Sequence, residues 1–259
     1  MFLNISDFII KIDYLKYKHN KKTCDTHKKF FLKEFRSFQT FSKNKRVDLT
    51  LKVDPKNCRI IKTKSILFYP LLIKKRNYYR IFTSLNMNLF YYAFEEMVQD
   101  LFDKNKDIIL HCSAIEHNNQ VSLFLGKSGA GKSTLVKLLK LHLRPISDDI
   151  ALIRKLGDNF FLYQSPAREK NDYPITRRKY SIKNIFLIEK AKKNMIRKIS
   201  VPNKFLNQQL SNSIRNRVFK NTLTAFVEKH SNCFYSFAFN NQASVAHYFM
   251  NFIATSKND

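Results

Sequence analysis

Apolar and polar positions alternate with period two in Val47-Asp48-Leu49-Thr50-Leu51-Lys52-Val53, and Asp54-Pro55-Lys56-Asn57 ends the run. A half-buried strand closed by a turn is expected there. Arg59-Ile60-Ile61, Ile66-Leu67-Phe68-Tyr69 and Tyr78-Tyr79-Arg80-Ile81-Phe82 add short strand candidates, so residues 1 to about 85 read as β-rich. The period then changes. Leu89, Ala93, Met97 and Leu101 fall four apart between Asn88 and Phe102. Such a stripe predicts a helix packed on a core. Lys104-Asn105-Lys106-Asp107 breaks it.

Ile108 to His117 is the next strand candidate. Asn118-Asn119 follows, and asparagine tolerates positive φ, so a tight hairpin is expected. Its return strand is Val121-Ser122-Leu123-Phe124-Leu125. The hairpin places His111 at the end distant from the turn. Apolar residues recur at helical spacing in Thr134-Leu135-Val136-Lys137-Leu138-Leu139-Lys140. Two apolar segments then flank Ser147-Asp148-Asp149, which puts the acids at a strand end or turn. Phe160 to Tyr163, Ile185 to Ile188 and Cys233 to Phe239 read as strands. Phe205 to Lys229 (Leu206, Leu210, Ile214, Val218) and Ala243 to Ile253 read as helices. Gln164 to Lys170 is a loop carrying the cations Arg168 and Lys170.

Composition sharpens the picture at one place. The chain has Gly 4 in 259 residues, and Gly126, Gly129 and Gly131 are three of them. A backbone without Cβ takes positive φ and approaches a ligand closely. Gly126-Lys127-Ser128-Gly129-Ala130-Gly131-Lys132-Ser133-Thr134 fits the phosphate loop G-x-x-x-x-G-K-[ST]. In that loop the amides cradle an anion, the lysine reaches the outer phosphates and the hydroxyl meets Mg²⁺. The order strand, glycine loop, helix is the required context, because the helix N-terminus adds positive potential.

The net charge of +27 admits a nucleic-acid partner. The cations, however, are spread from Lys11 to Lys257 rather than gathered in one tail. That spread makes nucleic acid the lesser reading against a chain simply rich in Lys, Asn, Ile and Phe, though the charge would still attract an acidic protein or peptide. Cys24, Cys58, Cys112 and Cys233 form no C-x-x-C pair and no zinc spacing with histidine, so free thiols are expected. No apolar run is long enough to span a bilayer, and Met1 to Ile12 lacks signal-peptide shape. A cytoplasmic location is the expectation.

Asp148 lies only 16 positions after Lys132. Two neighbouring carboxylates so soon after a phosphate loop have two natural tasks, to hold a metal and to accept a hydroxyl proton. Leu110-His111-Cys112-Ser113-Ala114-Ile115, the loop and Ser147-Asp148-Asp149, in that order, resemble the HPr kinase/phosphorylase catalytic domain. They are closer in style to the small HPr-kinase-like proteins found beside peptide-modification genes, lasso-peptide kinases among them. The resemblance covers about residues 105 to 190 well and the C-terminus weakly. It implies an α/β fold shared with phosphoenolpyruvate carboxykinase, a twisted mixed sheet with flanking helices. That core would span 105–259, with a β-rich region and linking helix over 1–104. It further implies ATP and Mg²⁺ as cofactors, and binding by Gly126 through Thr134. Lys132 would contact the outer phosphates, and Ser133 would ligate the metal. One of Asp148 and Asp149 would assist the metal, with Asp148 the metal candidate, while the other acts as base; His111 would lie beside them. Relatives assemble into oligomers, so self-association is also implied. The sequence departs from HPr kinase at Cys112, where that family has glycine. It also lacks the glycine-containing segment tied to the phosphorylase reaction, so the reverse reaction is not implied.

The activity expected is ATP-dependent phosphorylation of a serine or threonine hydroxyl on a protein or peptide. The alternatives are a nucleotide-binding regulatory module without transfer, and an NTPase linked to nucleic acid.

Overall fold

The computed structural model describes residues 2–14, 28–29, 32–33, 35–40, 46–54, 61–62, 67–68, 72–75, 78–82, 87–165, 173, 176–200 and 217–255. Two compact units emerge, Met1–Leu101 and the larger Phe102–Ser165 with Glu169–Asp259.

The first unit is β-rich. A six-stranded sheet has the order β3-β1-β2-β4-β8-β7. Its members are β1 (Phe2–Ile5), β2 (Phe8–Tyr14), β3 (Gln39–Thr40), β4 (Leu49–Asp54), β7 (Leu72–Lys74) and β8 (Tyr79–Phe82); β5 (Ile61–Lys62) and β6 (Leu67–Phe68) pair separately. The β1–β2 hairpin turns through Ser6 and Asp7 at φ 52 and 65, the left-handed values a two-residue hairpin needs. The expected alternation in β4 holds, with Leu49, Leu51 and Val53 buried. Helix α1 (Met87–Lys104) buries Phe94, Met97, Val98 and Leu101. The side chains of Leu89 and Ala93 from the predicted stripe lie outside the described residues.

The second unit is a nine-stranded mixed sheet with helices on both faces. Its strands are β9 (Ile108–His111), β10 (Ser113–His117), β11 (Gln120–Leu125), β12 (Arg144–Ser147), β13 (Ile150–Leu156), β14 (Asn159–Gln164), β15 (Lys179–Lys190), β16 (Met195–Lys198) and β17 (Phe234–Phe239). The order is β12-β10-β11-β15-β14-β13-β9, with β17 on β15 and β16 on β17. Strand alternation sorts the core into two layers. Val121, Leu123 and Leu125 of β11 face a layer closed by Leu223, Phe226 and Val227 of α3 (Arg217–Lys229). Phe124 faces the opposite layer, under α2 (Lys132–Leu139) and α4 (Ser244–Thr255). Phe186, Phe237 and Phe249 dominate that second layer through stacked and edge-to-face rings. Of the helix expected over Phe205 to Lys229, the part before Arg217 lies outside the described residues.

One buried ion pair ties β9 to β13. Arg154 Nε donates to Asp107 Oδ2 at 3.0 Å, and the Lys155 N–H donates to Asp107 Oδ1 at 3.0 Å. Burial dominates the carboxyl and pushes its pKa up to about 6, against the opposing pull of the Lys155 N–H and Arg154. A raised folded-state pKa contributes stability that is complete below the unfolded value and lost as pH rises through the folded value. Between about pH 4 and pH 6 the wild type should therefore lose stability relative to Asp107→Asn. Melting temperatures of the two proteins across that window check the sign, and parallel curves would contradict it.

Candidate functional site

The glycine stretch leaves β11 as a loop and enters α2. Gly129 and Gly131 sit at φ 79 and 96, a region that L side chains rarely occupy. Ala130 N–H donates to Lys127 O at 3.1 Å and Leu135 N–H to Gly131 O at 2.8 Å, closing the loop and opening the helix. Lys132 is buried, and its Nζ donates to Gly126 O at 2.9 Å and Lys127 O at 3.3 Å. The ammonium therefore lies folded along the loop. Ser133 is half-buried, while Lys127, Ser128, Gly129 and Thr134 are exposed.

The two tight glycines differ in a way that can be measured. A Cβ on Gly131 would stand 2.8 Å from Phe239 Cζ, whereas a Cβ on Gly129 would meet nothing within 4 Å. Gly129→Ala carries only the left-handed penalty of about 1–2 kcal/mol. Gly131→Ala adds overpacking, for a total of about 2 kcal/mol or more. Denaturant titration of both variants should show Gly131→Ala as clearly the weaker protein; equal losses would contradict the packing account.

The acids sit at a joint between strands. β10 runs antiparallel to β11 and to β12, with Ser113 opposite Phe124 and Ala114 opposite Ser147. β11 and β12 therefore run in the same direction and end at one edge of the sheet. β11 delivers the glycine loop there, and β12 delivers Asp148-Asp149. Two strand spacings separate those ends, about 10 Å.

Ile108 to His117, expected as one strand, is broken at Cys112 into β9 and β10. His111 is consequently not on the Asn118-Asn119 hairpin but on β9, opposite Ile150 of β13. The hairpin turn itself forms as expected, with Asn118 and Asn119 at φ 54 and 61. Cys112 and Asp148-Asp149 thus link the β12–β10 end of the strand order to its β13–β9 end. Four hydrogen bonds hold this joint. Cys112 N–H donates to Asp149 O at 3.0 Å, and Ser113 Oγ to Asp148 O at 3.0 Å. Ser147 Oγ donates to Ile150 O at 2.8 Å and Cys112 O at 3.4 Å.

The two carboxylates have different surroundings. Asp148 is 1% exposed. The Asp149 side chain is 36% exposed, and its Oδ1 lies 3.0 Å from His111 Nδ1, on a ring that is itself 54% exposed. One acid is withdrawn into the joint and the other faces outward beside an imidazole. Lys132, His111, Asp148 and Asp149 all belong to one unit and one sheet edge. Arg168 and Lys170 lie outside the described residues.

Among the described residues no group of three or more His, Cys, Asp or Glu could by itself hold a metal ion. That does not oppose Mg²⁺, which takes one or two carboxylates and completes its shell with phosphate oxygens and water. The hydroxyl of Ser133 and the Asp148 carboxylate are oxygen donors of the right hardness. Cys112 is a buried free thiol and Cys233 a half-buried one; Cys24 and Cys58 lie outside the described residues. His230 is buried with Nδ1 2.8 Å from Phe226 O, far in sequence from the site. No helix of the described residues is long and apolar enough to cross a membrane.

No family model matches the chain, and no curated protein matches it. Among solved structures it is similar to the Hpr(Ser) kinase/phosphatase from Coxiella burnetii. The TM-score is 0.34 at 8% identity, over 58% of this chain and 96% of that one. The likeness is distant and concerns the fold alone.

Proposed function

We propose that the chain is an ATP-dependent kinase that phosphorylates a serine or threonine hydroxyl of a protein or peptide. One observation carries this reading: the phosphate loop and the Asp148-Asp149 pair leave the same edge of one sheet, two strands apart. A triphosphate seated on the loop projects its outer phosphate from that edge, where the acids also stand.

The roles follow from the surroundings. The amides of Gly126 through Gly131 and the start of α2 bind the phosphates, and Thr134 extends that first helical turn. Lys132 exchanges its loop carbonyls for outer phosphate oxygens. Ser133 and the withdrawn Asp148 would hold Mg²⁺, which when bound screens charge on the β- and γ-phosphates. Asp149 faces outward and takes the proton of the acceptor hydroxyl. His111 orients Asp149 through the 3.0 Å contact. The acceptor oxygen forms a bond to the γ-phosphorus, the bond to the bridging oxygen breaks, and its electron pair leaves with ADP. Such a transfer asks mainly for positioning and charge stabilisation.

The acceptor is proposed to be acidic. Beside the site's sheet edge, β16 is flanked or occupied by the exposed cations Lys192, Lys193, Arg197 and Lys198. No acid lies between Ala191 and Ser200. Incubation with γ-labelled ATP, Mg²⁺ and an acidic serine peptide library tests the activity. Labelled phosphoserine or phosphothreonine is the expected product. Nucleotide binding without any labelled peptide would instead favour a regulatory module.

A further inference from the structure

We propose that Lys190 is a further cation of the phosphate cradle, contacting the nucleotide's polyphosphate alongside Lys132. The inference rests on the nucleotide reading of the loop and adds a binding residue to it.

Placement comes first. β15 runs parallel to β11, with Leu125 opposite Leu187. The loop therefore leaves β11 beside Ile188-Glu189-Lys190. The C-terminal ends of parallel strands are where ligands of open α/β sheets sit. Along β15, Phe186 and Ile188 face the layer beneath α2. Period-two alternation puts Lys190 on that same face and turns Glu189 to the other. Of the two charged residues ending β15, the cation is the one on the loop's side.

Contact comes second. A Cβ built on Gly131 would lie 3.2 Å from Lys190 Cε. The final methylene of Lys190 thus packs against the left-handed residue that starts α2, and the ammonium is one bond further on. Lys190 is an exposed residue, and among the described residues its ammonium makes no ion pair. The stem is held while the charge stays available, an arrangement long cationic side chains favour.

Chemistry comes third. A triphosphate brings three to four negative charges, and the loop supplies the buried ammonium of Lys132 and the exposed one of Lys127 plus the partial charge of a helix end. A further ammonium at the flank of the cradle forms a charge-assisted contact with a phosphate oxygen. Lys190 is set apart from the other surface cations of this basic chain by its packing against Gly131, the left-handed residue that starts α2.

The test is MgATP affinity of the full chain by calorimetry. Lys190→Met keeps the stem and removes the charge, and should weaken binding about tenfold. Lys190→Arg restores the charge and should fall within about threefold of the wild type. Lys140→Ala removes an exposed lysine just past α2 and should bind as the wild type does. The tenfold gap should narrow as salt is raised. Lys190→Gln gives the same readout should methionine disturb the packing. If the wild type binds and the uncharged variants bind equally well, the inference is overturned and the loop reading stands. If the wild type binds no MgATP, the loop reading fails and takes this inference with it.

Discussion

Replacing Lys132 with alanine is expected to lower phosphoryl transfer by about 10²–10³-fold, the loss typical of removing one preorganised donor from a transition state. The reasoning starts from the fold. Lys132 is the first residue of α2 and is buried, with its ammonium against the loop. It donates to Gly126 O and Lys127 O. Those carbonyls are weaker partners than a γ-phosphate oxygen whose charge grows during transfer. Alanine at this helical position costs no propensity, so the melting temperature should hold while activity falls. Both kcat and ATP affinity should drop, since ground state and transition state both carry the phosphate charge. Rapid-quench transfer assays and thermal melts on one preparation decide the matter. Full activity would remove Lys132 from the site.

Asp149→Asn is the second large effect. Losing a general base typically costs about 10²–10⁴-fold. The side chain is partly exposed and paired with His111 at 3.0 Å, and its main-chain carbonyl is held by Cys112 N–H. Asparagine is nearly isosteric, so the joint should persist. The fall should appear in kcat with ATP affinity retained, because the proposed proton transfer occurs only in the reaction. His111→Gln should fall less far, since that ring acts through Asp149. If Asp149→Asn keeps its rate while Asp148→Asn loses it, the base and metal roles are exchanged. If neither variant changes the rate, the acids have no part in transfer.

Much of the candidate site's backbone geometry was legible because its signals are local. In a chain this poor in glycine, three glycines in six residues mark a backbone that needs left-handed turns, and Gly129 and Gly131 occupy them. Asn118-Asn119 likewise names a turn by side-chain chemistry. The acids between two apolar runs had to fall at a strand joint. What escaped is non-local. The break at Cys112 carries no glycine or proline, because the pairing of β9 with β13 imposes it. The β1–β2 hairpin turns through Ser6-Asp7, a weaker signal than Asn-Gly. Asp107 read as a helix breaker, yet its partner Arg154 lies 47 residues on. Lys190 was hidden by abundance: one lysine among 47 Lys and Arg has no sequence mark, and only its packing against Gly131 singles it out.

A crystal structure of the full chain with Mg²⁺ and a non-hydrolysable ATP analogue tests the central claim most directly. The account predicts the phosphates on the amides of Gly126 through Gly131, Lys132 Nζ on the outer phosphate, and the metal touching Ser133 with the Asp148-Asp149 joint facing the γ-phosphorus. A nucleotide seated elsewhere, or a γ-phosphate pointing away from both carboxylates, would contradict it.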